Sequence, residues 1–356
     1  MRIAIITDAW RPQTNGVVQT LSKTVDALRS VHHDVCVIEP GQFRTFPCPT
    51  YPEIRLAWHP YPSLACRLKD FAADAIQIAT EGPLGSAARR WCRTQERSFT
   101  TSYHTQFPEY LRARMPIPLS LTYAHLRRFH AGATRTMVAT PAMQAQLERR
   151  GFRNLVRWTR GVDVDLFRPR ADRILDLPRP ISMYVGRVAV EKNVEAFLAL
   201  DLPGTRVIVG DGPARAELQK KYPTAVFVGF QRGEALAQHV AAADVFVFPS
   251  RTDTFGLVLL EAMASGVPVA AFPVTGPIDV VQHGVTGMLD DDLGASVRGA
   301  LRLSPADCRH YALQHTWQTA TQQFLGNLCT GNAVASLVAP VSAAARGVQY
   351  CVQPPQ

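Results

Sequence analysis

Residues 249–270 read PSRTDTFGLVLLEAMASGVPVA, and this stretch, with the residues just before it, indicates the fold. The apolar run Val245–Phe248 precedes it and has the length and composition of a buried strand. Leu257–Ala264 is predicted to be a helix, and Val267–Ala271 is a second strand-like apolar run. Buried strands separated by a helix are typical of a parallel sheet that helices cover on both faces. The stretch therefore predicts an α/β fold.

Two carboxylates, Asp253 and Glu261, lie on either side of the predicted start of this helix. A helix N-terminus offers unpaired backbone N–H groups and the positive end of the helix dipole, which together suit a phosphate. Carboxylates beside it can accept hydrogen bonds from sugar or ribose hydroxyls, as an acidic residue does in dinucleotide sites. A nucleotide sugar carries all of these groups. The alternative is that Asp253 only caps a loop and that Glu261 is a solvated helix residue.

The alternation of strands and helices occurs twice along the 356 residues, which is enough chain for two domains of ordinary size. Two successive doubly wound, Rossmann-like α/β domains are the simplest account. Strands of the first are predicted at Ile3–Thr7, Val35–Glu39, Ala75–Ile78, Phe99–Tyr103 and Thr136–Ala139, with a helix at Val17–Arg29. Strands of the second are predicted at Ile181–Val185, Arg206–Val209, Ala225–Val228, Val245–Phe248 and Val267–Ala271.

Composition marks the domain boundaries. Residues 161–180 are rich in Pro, Arg and Asp and are predicted to be an interdomain linker between domains at 1–160 and 181–310. Residues 311–329 are expected to form a C-terminal helix. Residues 330–356 are rich in Ala, Val, Ser and Pro with little patterning, which predicts a disordered tail.

The excess of basic residues belongs to the first half of the chain. The formal net charge is +9; residues 1–160 hold 22 Lys and Arg against 11 Asp and Glu, whereas residues 161–330 hold 15 against 18. A basic half can bind nucleic acid, anionic lipid headgroups or an anionic substrate, or it can be a solvated face without a partner. Dense arginine clusters near apolar residues favour docking on an anionic membrane. The clusters are Arg89, Arg90, Arg93 and Arg97; Arg112 and Arg114; and Arg127, Arg128 and Arg135.

Two further features of composition bear on compartment and on metal binding. The apolar opening run Ile3–Ile6 is too short for a signal peptide core, and no later run approaches the length of a membrane span, which predicts a cytoplasmic protein. The seven cysteines include no Cys-x-x-Cys pair, so neither a zinc site nor a disulfide framework is indicated.

Three further groups of candidate residues follow the carboxyl ends of predicted strands, where open α/β sheets bind ligands. Gly16 ends the first such loop, where the absence of a Cβ lets a phosphate or sugar approach the backbone, although Asn-Gly can also simply turn the chain. Arg187 and Lys192 can hold a diphosphate, or they can be solvated. His104 can hydrogen-bond a substrate, although a lone histidine is usually structural.

Seven motifs in this order resemble the retaining glycosyltransferases of family 4, which have the GT-B fold of two Rossmann-like domains facing across a cleft. The resemblance covers roughly residues 1–328 and looks closest to the subgroup of lipid α-mannosyltransferases and sulfolipid synthases. The motifs are NGV (15–17), SYHTQFPEY (102–110), RGVDVDLFRP (160–169), GRVAVEKN (186–193), VGDGP (209–213), ADVFVFPS (243–250) and TDTFGLVLLEAMASGVPVA (252–270).

The resemblance implies a catalytic group of four residues. Arg187 and Lys192 would grip the donor diphosphate. Asp253 would hold a hydroxyl of the donor sugar, although the family more often has Glu at this position, so the contact is one methylene shorter. His104 matches the histidine that lies near the transferred sugar.

The same resemblance implies the rest of the donor site. Gly16 would approach the diphosphate from the first domain, and Glu261 would bind the ribose hydroxyls. Backbone N–H groups would reach the sugar or phosphate at Phe255, Gly256, Leu257 and Val258.

The implied reaction moves a hexose from GDP-mannose or a UDP-hexose to a lipid or lipid-linked acceptor with retention of configuration. The protein would be peripheral at the inner face of the cell membrane, without a nucleic acid partner. No cofactor and no bound metal are expected, and Asp290–Asp292 is interpreted as a solvated acidic loop. The helix Trp317–Leu328 resembles the family's closing helix, which crosses back to the first domain.

Two other interpretations remain open on the sequence. The first is an enzyme of the same fold with a soluble acceptor, or a nucleotide-sugar epimerase. The second is a membrane or nucleic-acid adaptor whose donor site is vestigial.

Overall fold

A computed structural model describes residues 1–13, 15–48, 51–112, 115–171 and 174–331, and only the backbone of 51–53. Arg114 and most of the predicted tail, 332–356, lie outside these described residues. Within them the chain forms two parallel six-stranded sheets, one in each half, and both are flanked by helices. The two-domain α/β prediction is confirmed.

The first half contains a parallel sheet and a separate hairpin. The sheet has the order β2-β1-β5-β6-β7-β8, and β3 pairs with β4 in an antiparallel hairpin. The strands are β1 (Arg2–Ile6), β2 (Asp34–Ile38), β3 (Thr45–Cys48), β4 (Tyr51–Ala57), β5 (Ala75–Ile78), β6 (Thr100–Tyr103), β7 (Arg135–Val138) and β8 (Leu155–Arg157). The helices are α1 (Gly16–Ser30), α2 (Tyr61–Phe71), α3 (Pro83–Thr94), α4 (Phe107–Arg112), α5 (Leu119–His130) and α6 (Pro141–Arg149).

The second half repeats the doubly wound pattern with the sheet order β11-β10-β9-β12-β13-β14. Its strands are β9 (Ile181–Val185), β10 (Thr205–Val209), β11 (Val226–Gly229), β12 (Val245–Phe248), β13 (Val269–Ala271) and β14 (Gly287–Leu289). Its helices are α7 (Val194–Leu198), α8 (Arg215–Lys221), α9 (Gly233–Ala242), α10 (Leu257–Ala264), α11 (Pro277–Val280), α12 (Leu293–Ala300), α13 (Pro305–Ala312) and α14 (Trp317–Asn327).

Burial on both faces explains why the central strands are continuous apolar runs. Every residue of β9 is buried, and successive side chains of this strand pack into different cores. Met183 packs in the same cluster as Val207, whereas Tyr184 packs with Ile208 in the cluster on the other face. Successive side chains of a strand point to opposite faces, so both must be apolar when helices cover both faces.

Each predicted strand is present within two residues of its predicted bounds, but four strands were missed. The strands β8 and β14 have three residues each, too few to show a periodic pattern. The hairpin strands β3 and β4 contain Pro47 and Pro52, which argue against a strand because proline cannot donate to a ladder.

Helix α14 carries the chain back from the second half to the first. The Phe324 side chain is fully buried among residues of the first sheet, with its ring 4.9 Å from that of Trp158. The Gln323 side chain accepts a hydrogen bond from the Thr159 amide at 2.9 Å. Beyond the helix, Thr330 forms an isolated β-bridge with Ala75, so backbone hydrogen bonding reaches the first residue of the predicted tail.

No helix in the part of the chain that the structure describes has the length and hydrophobicity that spanning a bilayer requires.

Candidate active site

The candidate residues of the second half meet where the order of its sheet reverses. The chain leaves β9 toward β10 on one side and leaves β12 toward β13 on the other, so a crevice forms beyond the carboxyl ends of β9 and β12. Ligands of open α/β sheets bind at such switch points. The loop after β9 carries Arg187 and Lys192, and the loop after β12 carries Asp253.

Lys192 and Asp253 join these two loops through an ion pair. The Lys192 Nζ lies 2.5 Å from the Asp253 Oδ2, and both side chains are mostly buried. Burial acts to lower the pKa of Lys192, but the nearby Asp253 carboxylate and the Tyr110 hydroxyl outweigh it, so the pKa lies above its usual value. Lys192 is therefore charged and paired with Asp253, and it is not the solvated residue of the alternative interpretation.

A second contact between the loops fixes their backbones. Asn193 has a left-handed backbone with φ of +53°, and its Nδ2 donates to the carbonyl oxygen of Pro249 at 3.1 Å. Asparagine tolerates this conformation better than most residues. This bond holds Lys192, the residue before Asn193, next to the start of the loop that follows β12.

Arg187 lies beside the same crevice. It is partly buried, and its carbonyl oxygen accepts a hydrogen bond from the Tyr184 hydroxyl at 2.8 Å. Tyr184 is buried in the core of the second half, so this bond ties the backbone of Arg187 to a rigid strand. A guanidinium on such a support can make two parallel hydrogen bonds to phosphate oxygens.

Helix α10 begins at the predicted position and presents its N-terminus to the site. Gly256 precedes it with φ of +83°, and a Cβ there would lie 2.9 Å from the Leu259 Cδ1, so only glycine fits without displacement. No side chain caps this helix in the described chain. The N–H groups of its first turn, including that of Val258, have no carbonyl partner within the helix and can bind an anion.

Glu261 is buried on α10 and faces the first half. Its side chain accepts a hydrogen bond from the Gln19 Nε2 of α1 at 2.7 Å, and the residue is 4 % exposed. Burial raises the pKa of Glu261 to about 7, against the lowering effects of the Gln19 bond and the Lys23 charge. The interpretation of Glu261 as a solvated helix residue is therefore wrong, because every residue of α10 except Val258 is buried.

Gly16 also lies against the second half, as its predicted role requires. A Cβ on Gly16 would be 3.7 Å from the Leu257 Cδ1, which is an ordinary contact distance. Asn15 caps α1 by accepting from the amides of Val17 and Val18. The structure thus brings the start of α1 next to the start of α10, and both helix N-termini border the site.

The segment after β6 closes the site from the first half. The Thr254 hydroxyl donates to the carbonyl oxygen of His104 at 2.7 Å. The Gln106 side chain donates to the Asp253 carbonyl oxygen at 3.0 Å. The Tyr110 hydroxyl donates to the Thr252 carbonyl oxygen at 3.1 Å. Gln106 and Tyr110 lie in the motif SYHTQFPEY, but their partners are more than 140 positions away, so local sequence did not reveal these contacts.

The His104 ring is held in its neutral form. Burial, and then the charge of Arg160, lowers its pKa well below the usual value. Its Nδ1 lies 3.3 Å from the Arg160 Nη2. Its Nε2 is inaccessible to solvent and has no hydrogen-bond partner among the residues that the structure describes. A buried polar nitrogen without a partner costs about 1–3 kcal/mol, which a bound ligand would recover.

The acidic run is exposed, as predicted. Asp290, Asp291 and Asp292 are all exposed, and Asp292 caps α12 by accepting from the Gly294 amide at 2.8 Å. Across the described ranges there is no cluster of three or more His, Cys, Asp or Glu side chains placed to hold a metal ion.

Comparison with known proteins identifies the family of this chain. A family described as Glycosyltransferase Family 4 matches residues 14–166, and one described as Glycosyl transferases group 1 matches residues 179–304. A GDP-mannose-dependent alpha-mannosyltransferase of Mycolicibacterium smegmatis is 33% identical over 92% of this chain and 96% of the relative. The chain belongs to glycosyltransferase family 4.

Two further comparisons describe this family 4 glycosyltransferase. It is 34% identical to the sulfoquinovosyl transferase SQD2 of Arabidopsis thaliana over 69% of this chain and 52% of that protein. Its fold matches sucrose-phosphate synthase from Thermosynechococcus elongatus with a TM-score of 0.75, at 22% identity and over 91% and 97% of the two chains. The GT-B fold is therefore confirmed, and the protein is a glycosyltransferase that uses a nucleotide sugar.

Proposed function

We propose that this glycosyltransferase moves a hexose, with mannose from GDP-mannose as the first candidate, to a lipid or lipid-linked acceptor with retention of configuration. The observation that carries the proposal is the Lys192–Asp253 ion pair, which joins the loop that holds Arg187 to the loop that leads into α10, the helix of Glu261. These groups match the diphosphate, sugar and ribose of one donor. The name of the Mycolicibacterium smegmatis relative, which spans nearly the same length, supports GDP-mannose.

In the proposed mechanism the protein positions the donor and stabilises the leaving diphosphate. Arg187 and the N–H groups of α10 bind the diphosphate, and Lys192 adds positive charge beside it. The acceptor hydroxyl oxygen bonds to the anomeric carbon on the face where the bond from that carbon to the diphosphate breaks, so the configuration is kept. The hydroxyl proton passes to the departing phosphate oxygen. Preorganised donors of this kind account for much of the rate enhancement in many enzymes. His104 donates from Nε2 to the transferred sugar, and Asp253 accepts from a sugar hydroxyl.

The donor is tested by thermal shift with GDP, UDP and ADP and with their sugars. A ligand at 100 times its Kd stabilises a protein by about 2.7 kcal/mol, which raises Tm by a few degrees. We expect GDP and GDP-mannose to raise Tm and the others to do so less. A larger shift with a UDP or ADP species would reassign the base, and no shift with any nucleotide would contradict the donor site.

We also propose that the positive charge for the leaving diphosphate comes from Arg187 and Lys192, and that no cofactor or divalent metal is needed. The rate of transfer from GDP-mannose to a polar lipid extract is then expected to be the same in EDTA as in MgCl₂. A tenfold fall in EDTA that MgCl₂ restores would contradict this.

The proposal places the acceptor at an anionic membrane surface, which the arginines of the first half support. The Arg89 Nη2 donates to the Arg128 carbonyl oxygen at 2.9 Å, which joins α3 to the end of α5. Burial, and then the charges of Arg93 and Arg128, lowers the pKa of Arg89, so these three positive charges lie close together. Leu121 is 64% exposed and lies seven positions before Arg128, on the same face of α5. Apolar and basic side chains on one face suit a membrane interface.

Reversing two of these charges is expected to weaken binding to anionic vesicles by at least about tenfold, since each basic residue near such a surface contributes about 1 kcal/mol. The variant is Arg93→Glu with Arg128→Glu, measured by co-sedimentation with phosphatidylglycerol vesicles. The matched control is Arg298→Glu with Arg302→Glu, which makes the same charge change on exposed residues of the second half. Equal binding by the two double variants would contradict docking through α3 and α5.

A further inference from the structure

Arg160 is a buried arginine next to His104, and the proposed mechanism assigns it no role. Its side chain is 3% exposed, and its Nη1 donates to the carbonyl oxygens of Trp158 at 2.5 Å and Thr159 at 3.0 Å. The guanidinium stacks on the Trp158 ring at 4.2 Å. No carboxylate pairs with it among the residues described. Burying a cation without a counter-charge costs free energy, so we expect another interaction to account for the position of Arg160.

The reason lies in the contact between the Arg160 Nη2 and the His104 Nδ1, which are 3.3 Å apart. A guanidinium carries only hydrogen-bond donors, so the imidazole nitrogen that faces it must accept. Burial lowers the pKa of Arg160 to about 9, so the guanidinium remains protonated at neutral pH and keeps donating. The Nδ1 of His104 then cannot carry a proton.

We propose that Arg160 is a positioning residue that fixes the tautomer of His104, so that the ring carries its single proton on Nε2. The Nε2 atom is the one that lacks a partner within the described structure. His104 therefore offers a substrate a hydrogen-bond donor and cannot act as a base through either nitrogen while Arg160 is in place. That the substrate is the sugar donor rests on the proposed function, but the tautomer itself does not.

The surroundings of the ring are consistent with a fixed orientation. The Trp158 ring lies against both partners, edge to face with His104 at 5.6 Å and stacked on Arg160. The backbone of His104 is held by the bond from Thr254. With both the backbone and one ring nitrogen held, the direction of the Nε2–H bond is determined, as a preorganised donor requires.

The tautomer is measured without any substrate, by ¹⁵N NMR of histidine-labelled protein, with the His104 signals assigned from a His104→Gln variant. We expect one protonated nitrogen, Nε2, and one unprotonated nitrogen, Nδ1, with no titration between about pH 5 and 8. Arg160→Met is expected to release the ring, so that both tautomers are populated. Arg160→Lys restores a donor-only side chain and should restore the single tautomer.

Arg157→Gln is the control, because its guanidinium donates to the Ala139 carbonyl oxygen and not to His104. This variant should leave the His104 signals unchanged. A proton on Nδ1 in the wild type, or a spectrum of Arg160→Met identical to that of the wild type, would overturn the proposal. If Arg160→Met fails to fold, the wild-type and Arg160→Lys spectra still decide the question.

Kinetics separate positioning from a purely structural role. With GDP-mannose as donor and a polar lipid extract as acceptor, Arg160→Met is expected to lower kcat at least tenfold while Kd for GDP changes less than twofold. If Arg160 had only a structural role, Arg160→Met would instead lower Tm and weaken GDP binding while leaving the tautomer of His104 unchanged. Failure of the wild type to bind GDP at all would count against the proposed function and not against the tautomer.

Discussion

Replacing Arg187 with alanine is expected to lower kcat/KM for transfer from GDP-mannose by about 10²–10³-fold, the range found when one donor to a developing anion is removed. The residue follows the carboxyl end of β9, at the switch point of the second sheet, which is where we propose that the diphosphate binds. Its carbonyl oxygen, which the Tyr184 hydroxyl contacts, is kept in the variant. The rate is measured as transfer of radiolabel to a polar lipid extract, and GDP affinity by isothermal titration.

The matched control is Arg298→Ala on α12, an exposed arginine of the same half whose contact to Asp292 is long, at 3.5 Å. It should leave both the rate and Tm unchanged. Arg187→Ala with an unchanged rate and unchanged GDP affinity would show that the diphosphate binds elsewhere. A fall in Tm of more than a few degrees would point to lost structure instead, and Arg187→Lys, which keeps the charge, would then be compared.

Replacing Glu261 with glutamine is expected to have opposite effects on donor binding and on stability. The Gln19 side chain can still donate to the amide oxygen, so the contact between the two halves is kept. A carboxylate that accepts from ribose hydroxyls is worth about 1.5–3 kcal/mol, so GDP affinity should fall by about 10–100-fold. The affinity of the wild type should also rise as pH increases through about 7, because only the deprotonated carboxylate accepts two hydrogen bonds, whereas that of Glu261→Gln should not.

The effect on stability has the opposite sign. The pKa of Glu261 is raised from 4.5 to about 7 by folding, so the folded state holds the proton more tightly than the unfolded state. The contribution to the free energy of unfolding is therefore present below about pH 4.5 and is lost as pH rises to about 7, by at most about 3 kcal/mol. Glu261→Gln avoids this loss and should be more stable than the wild type at pH 8.

Urea unfolding at pH 5 and pH 8 measures this difference, with the exposed Glu217→Gln on α8 as the control. The stability of the control should follow that of the wild type at both pH values. A Glu261→Gln protein that is less stable than the wild type at pH 8 would contradict the raised pKa of the buried Glu261 carboxyl. Unchanged GDP affinity with the expected gain in stability would leave the burial intact and reject the ribose contact.

The sheet and the loops of the site were predictable because their signals are local. Runs such as Ile181–Val185 are apolar because both faces are covered, and Gly256 marks a turn that only glycine fits. The start of α10 followed from the change of pattern after Gly256, and the structure has it at Leu257. The short strands β8 and β14 had no such signal.

The pairings within the site were not predictable, because their partners are far apart along the chain. Gln19 and Glu261 are separated by 242 positions. A single sequence shows that Glu261 is on a helix but not which face of the helix is buried when every neighbour is apolar. The interpretation of Glu261 as a solvated side chain was therefore compatible with the pattern, but the burial of the residue shows that it is wrong.

By itself, the sequence determined two doubly wound α/β domains and placed Arg187, Lys192 and Asp253 in loops beyond strand ends, since strand burial and turn chemistry act over a few residues. Only the tertiary structure decided that Lys192 pairs with Asp253 and that Arg160 faces His104. Each contact joins loops that follow two different strands of one sheet, so it depends on the order of those strands in space. The charge and protonation of a side chain follow from its partners and burial in space, and local sequence specifies neither.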